Sequence, residues 1–192
     1  MGSVWAKKVV RQIPVAVISL QDDVRFDRRV MERHYPGQPA GRLIGAARLG
    51  ASDVGMALSF GGFSLAIEDI HLSSQQVLNQ ALDKLVSAGV RYWMLDLPPQ
   101  VIAQVSARYA GQALMWNVSS DLDALRAASC SATLFHTYPS ARMFADGLAQ
   151  YVAARNWRNY LGLTGPLAQD QLLSQAWQRA SKRYGLSAVD EK

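Results

Sequence analysis

The sequence has few of the residues that form disulfides and metal centres. It contains one cysteine, Cys130, and three histidines among 192 residues. A lone thiol cannot form an intramolecular disulfide, and we expect Cys130 to be a buried structural residue. The cysteine and the histidines show no metal-ligand spacing, so no metal site is predicted. Asp22 and Asp23 are able to bind a hard cation, although a solvated turn is the simpler interpretation.

The sequence also lacks a long apolar run and a concentrated charge of one sign. No stretch approaches the roughly 18 apolar residues of a transmembrane helix, and residues 1–12 lack the apolar core of a signal peptide. Lysine and arginine together number 20 against 15 acidic residues, but they are spread from Lys7 to Lys192. Because nucleic-acid binding needs clustered positive charge, no nucleic-acid partner is predicted.

Glycine-rich nucleotide-binding loops are missing as well. The turn after the first predicted strand reads SLQDDVRF and contains no glycine. The GLTGP segment at Gly162 lacks the Lys-Ser/Thr pair of a phosphate-binding loop. The common nucleotide sites of α/β proteins are therefore excluded, and no cofactor is predicted.

The strained Gly-x-Ser-x-Gly turn that presents a catalytic serine does not occur in the sequence. We therefore predict that the chain is not an enzyme. One alternative is a small hydrolase in which His136 acts with Asp96 or Cys130, because a fold alone does not fix a function.

Short apolar strands alternate with helical patterns along most of the chain. This alternation predicts a doubly wound α/β fold with a mostly parallel, Rossmann-like sheet. Residues 25–39 are long for a plain connection and predict a lid-like surface loop. Strands are predicted at residues 13–20, 63–70, 91–96, 112–117, 133–136, 157–164 and 186–189. Helices are predicted at residues 41–58, 74–88 with Ser73 as cap, 100–109, 121–128, 141–155 and 167–184.

Polar side chains follow several of the predicted strands. Ligands of parallel α/β sheets bind outside the carboxyl ends of the strands, so these side chains predict a site for a small polar molecule. Each residue serves equally well as a helix cap, and Ser140 is predicted to cap a helix with the apolar stripe Phe144, Leu148, Tyr151 and Val152. The strand-end residues are Asp96, Asn117, Ser119, Ser120, His136, Thr137 and Ser140.

One long segment carries a family resemblance. The stretch WNVSSDLDALRAASCSATLFHTYPSARMFADGLAQYVAARNWRNYLGLTGP resembles type I periplasmic substrate-binding proteins of ABC importers, the branched-chain amino acid-binding class. His136-Thr137 stands where Arg-Thr is usual in that class. The segments ISLQDD, GVRYWMLDLPP and WRNYLGLTGP are similar to the subgroup associated with pyrroloquinoline-quinone-dependent alcohol catabolism.

The resemblance implies a periplasmic protein that delivers a small molecule to a membrane permease. It implies ligand contacts by Asp96 and by the residues after the fourth strand, which are Asn117, Ser119, Ser120 and Asp121. Pro98 and Pro99 remove two backbone donors from the turn after Asp96, which argues against an amino acid as the ligand. A ligand-sensing regulatory subunit on the same fold is the alternative function.

The resemblance also predicts the domain organisation. Residues 1–12 are an N-terminal tail, residues 13–138 form a first α/β lobe, and residues 139–192 form a crossover helix and the first βα unit of an incomplete second lobe. Proteins of this class close two lobes on the ligand. The chain is then a fragment, a truncated product, or a domain that pairs with another copy as a homodimer.

Overall fold

The computed structural model describes residues 10–28, 32 and 41–189. The chain divides into two compact units. Unit 1 comprises residues 1–119 and 131–137, and unit 2 comprises residues 120–130 and 138–192. The predicted assignment of residues 13–138 and 139–192 to two lobes stays a prediction. Most of the predicted lid-like loop, residues 29–31 and 33–40, lies outside the described residues.

Unit 1 contains a five-stranded sheet in which the described strands have the order β2-β1-β3-β4-β5. Every neighbouring pair is parallel, which confirms the predicted doubly wound α/β fold. The strand order reverses between β1 and β3, and this reversal is the switch point where ligands of such sheets bind. The strands are β1 Arg11–Leu20, β2 Phe63–Leu72, β3 Tyr92–Asp96, β4 Leu114–Asn117 and β5 Leu134–His136.

The central strand β1 explains why this sheet could be predicted. Residues 15–20 are all buried, as expected for a central strand of a parallel sheet. Its β-branched residues suit a pleated, buried position. In the β1 register Ser19 lies between His71 of β2 and Asp96 of β3, so three polar residues meet at the carboxyl edge of the sheet.

Four described α-helices connect the strands of unit 1. They are α1 Ile44–Asp53, α2 Gly55–Phe60, α3 Leu78–Ser87 and α4 Pro99–Arg108. Helix α3 buries Leu78, Leu82 and Leu85. It ends before Gly89, whose φ of 76° is a left-handed backbone conformation that glycine adopts at low energetic cost. The prediction that Ser73 caps α3 was wrong. Gln75–Val77 forms a 3₁₀ turn, and α3 begins behind it without a side-chain cap.

Unit 2 is built around two helices, α5 Ala141–Ala154 and α6 Ala168–Arg183. The short strands β6 Asn159–Tyr160 and β7 Ser187–Ala188 pair in parallel. Ser140 Oγ accepts a hydrogen bond from the backbone N–H of Met143 at 3.3 Å, which confirms the predicted cap of α5. The predicted strand at residues 157–164 is reduced to two residues in the structure.

The buried face of α5 includes only one residue of the predicted stripe, Val152, which is partly buried against the contact with α6. Phe144, Leu148 and Tyr151 of the predicted stripe are 49%, 54% and 53% exposed. The buried residues are alanines on the adjacent face, and Ala149 packs in one cluster with Ala176 and Ala180 of α6. Small side chains let the two helix backbones approach closely, so the smallest residues of α5, and not the largest, form its contact.

Two further observations concern unit 2 and the chain as a whole. Cys130 is exposed, which corrects the prediction of a buried thiol. It follows the 3₁₀ turn Asp123–Arg126 in a surface connection, where burial would leave backbone groups without water. In the described part of the chain, no helix has the length and apolarity needed to cross a membrane.

Candidate ligand-binding site

Asn117, Ser119, His136 and Thr137 lie together in unit 1, and we call them the Asn117 cluster. Asn117 ends β4, is fully buried, and is paired in register with His136 of β5. Its amide nitrogen Nδ2 lies 3.1 Å from His136 Nδ1. Its amide oxygen Oδ1 accepts a hydrogen bond from the backbone N–H of Ser119 at 3.3 Å, which fixes which end of the amide is which. Because an amide nitrogen only donates, His136 Nδ1 accepts and carries no proton.

The backbone of Asn117 is fixed as well. Its carbonyl accepts hydrogen bonds from the Thr137 backbone N–H at 3.1 Å and from Thr137 Oγ1 at 3.3 Å. The ladder between β4 and β5 therefore continues one residue beyond β5. A buried polar residue held at both its amide and its carbonyl has a single orientation.

Ser119 differs from the other residues of the Asn117 cluster in the hydrogen bonds of its side chain. Its Oγ is buried and has no hydrogen-bond partner among the described residues. A buried hydroxyl without a partner costs about 1–3 kcal/mol, and native proteins seldom contain one without a reason. The cluster thus places a buried hydroxyl, without a hydrogen-bond partner among the described residues, beside the carboxyl ends of two strands.

Ser120 and Asp121, which were predicted to join these residues, belong to unit 2. Ser120 is buried, and its Oγ accepts a hydrogen bond from the backbone N–H of Leu122 at 3.3 Å. The Asp121 carbonyl accepts from the backbone N–H of Ala141 at 2.9 Å, which ties the segment to the start of α5. In unit 2 both residues hold the turn that leads to Asp123–Arg126.

Asp96, the remaining predicted residue, has charged partners at the switch point. Arg25 Nη2 donates to Asp96 Oδ1 at 3.1 Å and also to Asp23, while Arg25 Nε lies 3.0 Å from each oxygen of Asp23. Asp23 and Asp96 are 3% and 2% exposed. Two buried carboxylates therefore share one guanidinium, and we call the three residues the Arg25 triad.

Electrostatics keep Asp23 and Arg25 of the triad ionised. Burial by itself would raise the pKa of Asp23, but the hydrogen bonds from the side chain and backbone of Arg25, together with the charges of Arg25 and Arg42, outweigh burial and lower the pKa. Burial would likewise lower the pKa of Arg25, but hydrogen bonds and charges from Asp23 and Asp96 raise it. Asp23 and Arg25 are consequently charged at neutral pH.

Ser19 and His71 complete the carboxyl edge of the sheet near the Arg25 triad. Ser19 Oγ and His71 Nδ1 are hydrogen bonded at 2.9 Å. The sequence pattern did not indicate Ser19, Arg25 or His71 as site residues. The one available signal was the order of residues, because acidic and basic side chains follow within five residues of the buried strand β1.

Comparisons with models of known protein families and with curated proteins find no match. Solved structures do match. An ABC transporter substrate-binding protein from Desulfitobacterium hafniense has a TM-score of 0.67 at 15% identity, over 94% of this chain and 50% of that chain. A second D. hafniense structure, described as a complex with Leu, has a TM-score of 0.62 at 14% identity, over 94% of this chain and 50% of that chain.

A periplasmic binding protein from Burkholderia mallei gives a TM-score of 0.52 at 17% identity, over 95% of this chain and 46% of that chain. The chain shares the fold of these substrate-binding proteins. It spans about half of their length. At such identities the likeness concerns the fold, and the function has to be argued from the site.

Proposed function

We propose that the chain is part of the solute-binding component of an ABC importer and holds a small polar molecule at the carboxyl ends of β4 and β5. The observation that carries this proposal is the buried Ser119 Oγ, a hydroxyl without a partner in the described part of the chain, beside an asparagine of fixed orientation. The fold shared with substrate-binding proteins supports it, and one of these proteins is described as a complex with Leu.

The chemistry of the Asn117 cluster is that of binding. Hydroxyl, amide and imidazole groups exchange hydrogen bonds with a polar solute, and each bond contributes about 0.5–1.5 kcal/mol. A rigid arrangement of such groups lowers the entropy that is lost when the solute binds. Ligand contacts by Asp96, Ser120 and Asp121 stay predictions.

A solute-binding role in an importer also implies a partner and a cellular location. The partner is the membrane permease of the importer, and the location is periplasmic. A link to pyrroloquinoline-quinone-dependent alcohol oxidation rests only on the sequence resemblance, and pairing of two copies also stays a prediction. Because the chain spans about half the length of the matched structures, all these statements concern the role of the whole protein.

Thermal-shift screening of the chain against amino acids, alcohols, aldehydes, carboxylates and pyrroloquinoline quinone tests the proposal. A ligand at a hundredfold excess over its Kd adds about 2.7 kcal/mol of stability. Ser119→Ala should lower the affinity for the solute found in this screen by about threefold to tenfold, the effect of one lost hydrogen bond. Unchanged affinity in this variant would remove Ser119 from the site.

Ser87→Ala is the matched control, because Ser87 is an exposed serine of unit 1 at the end of α3. Its affinity for the same solute should equal that of the wild type. Since Ser119 Oγ has no partner to lose, Ser119→Ala should also unfold at no lower temperature than the wild type, so a loss of affinity would report on binding and not on folding.

A further inference from the structure

Two arginines of unit 1 lie around one aromatic ring near the switch point. The guanidinium carbon Cζ of Arg42 lies 3.9 Å from the ring centroid of Phe26, and that of Arg25 lies 5.4 Å from the same centroid. Phe26 ends the 3₁₀ turn that follows β1, and Arg42 lies two residues before α1. The ring thus holds both guanidinium groups beside the carboxyl edge of the sheet.

The two arginines differ in their hydrogen bonds. Arg25 uses Nε and Nη2 on the carboxylates of Asp23 and Asp96. Arg42 Nη1 is buried and has no hydrogen-bond partner among the described residues. A buried guanidinium nitrogen without an acceptor is costly, and the cost is removed when an acceptor binds to it.

A cavity of about 120 Å³ adjoins Arg42, and Ser19, His71, Asp69 and Asp96 also line it. Leu43 and Ile44, at the beginning of the ten-residue helix α1, line it too. The first N–H groups of a helix and the positive end of its dipole favour a negative group. The volume is roughly that of four water molecules in the liquid, which suits a carboxylate with one or two carbon atoms attached.

We propose that this cavity binds the carboxylate group of a small monovalent solute, with Arg42 as the main partner. The inference rests on the proposed function, since the carboxylate is taken to be part of the imported solute. It adds a ligand class and a position at β1, β2 and α1, whereas the Asn117 cluster lies at β4 and β5.

The acidic side chains at the cavity limit the charge of the solute. Asp96 is paired with Arg25, which it shares with Asp23, so its charge is partly offset. Asp69 is exposed, and water screens its charge. Arg42 is the one arginine or lysine among the described residues that line the cavity, so one added negative charge has a cationic partner there and a second does not. Monocarboxylates are therefore expected to bind better than dicarboxylates or sulfate.

The test is a titration of the chain with four probes at constant ionic strength: acetate, propionate, acetamide and methylammonium. Acetate and propionate should raise the melting temperature, and the uncharged and cationic probes should not. Arg42→Gln should weaken acetate binding by about tenfold to a hundredfold, the effect of losing a charged hydrogen bond. Arg48→Gln removes an exposed arginine from α1 and should bind acetate like the wild type.

Arg42→Lys keeps the charge but loses the planar guanidinium, so its acetate affinity should fall between those of the wild type and Arg42→Gln. If Arg42→Gln does not fold, Arg42→Lys carries the test. An acetate response that is unchanged in both variants would overturn the anion site. This holds even if the variants melt at lower temperature than the wild type, because Arg42 would then contribute to stability only by packing on Phe26. A response to acetamide equal to that for acetate would overturn the ligand class.

The two proposals fail in different ways. If the screened solute depends on Ser119 but not on Arg42, and acetate does not compete with it, the anion site is overturned and the solute-binding role stands. If acetate binding depends on Arg42 while no solute depends on Ser119, the anion site stands and the Asn117 cluster loses its role.

Discussion

Arg25 and Asp96 are 71 residues apart in the sequence, and Arg25 Nη2 lies 3.1 Å from Asp96 Oδ1 at the end of β3. Asp23 binds the other side of the same guanidinium. The contact joins the turn after β1 to the turn after β3 across the switch point of the sheet. Both carboxylates are almost fully buried, and Arg25 is the cation that hydrogen bonds to each of them.

Replacing Arg25 with glutamine should destabilise unit 1. The substitution leaves two buried carboxylates without a cation, and breaking a buried ion pair in this way costs about 3–5 kcal/mol. Urea unfolding followed by circular dichroism measures the loss. Arg28→Gln removes an exposed arginine that is paired with Glu32, and it should have little effect. Equal midpoints for the two variants would show that the Arg25 triad does not stabilise the fold.

The lowered pKa of Asp23 predicts how stability changes in acid. A carboxyl whose pKa is lower in the folded state contributes stability above its ordinary pKa, and the contribution is lost as the pH falls through the lowered value. The wild type should therefore lose this contribution below about pH 4, the ordinary pKa of aspartate. The raised pKa of Arg25 has the opposite sign and matters only in strong alkali.

Asp23→Asn provides the measurement. The difference in unfolding free energy between the wild type and this variant should be largest near neutral pH and should shrink as the pH falls from about 5 to about 2. Asp22→Asn removes the neighbouring exposed carboxylate and controls for the change in net charge. A difference that stays constant over this range would contradict the assignment of the pKa shift to the Arg25 triad.

The alanine contact between α5 and α6 predicts that changing a buried alanine destabilises unit 2 more than changing an exposed leucine. The apolar pattern alone predicts the opposite order. Ala149 is fully buried, so Ala149→Leu should overpack the contact and destabilise unit 2 by about 1–3 kcal/mol. Leu148 is 54% exposed, and Leu148→Ala should change stability by no more than about 0.5 kcal/mol. Chemical denaturation of both variants decides between the two faces, and a larger loss for Leu148→Ala would contradict the structure.

Local patterns explain what could be predicted from the sequence. The strands β1 to β5 are apolar runs of the right length, and their parallel arrangement follows from the helices between them. Asn117 and His136 were predicted as strand-end residues, and the register of β4 and β5 brings them together. The Arg25 triad could not be predicted in the same way, because its arginine and one of its carboxylates come from distant turns.

The other differences between the predictions and the structure have local causes that residue propensities do not reveal. Ser119 and Ser120 are adjacent in the sequence, but the division between units 1 and 2 falls between them. The stripe of α5 was misassigned because hydrophobic periodicity favours the larger side chains, whereas close helix packing favours alanine. Cys130 was expected to be buried from residue type, although its position in a connection places it at the surface.

The hydrogen bond between Asn117 and His136 predicts the protonation of the imidazole. Asn117 Nδ2 donates to His136 Nδ1, so the proton of the neutral ring must lie on Nε2. Long-range ¹⁵N–¹H NMR spectra at neutral pH should show Nδ1 as the unprotonated nitrogen. In Asn117→Asp the partner becomes an acceptor, so the proton should move to Nδ1 or the ring should become doubly protonated. A proton on Nδ1 in the wild type would mean that the Asn117 amide is turned over, and Ser119 would then lose the acceptor that fixes its backbone.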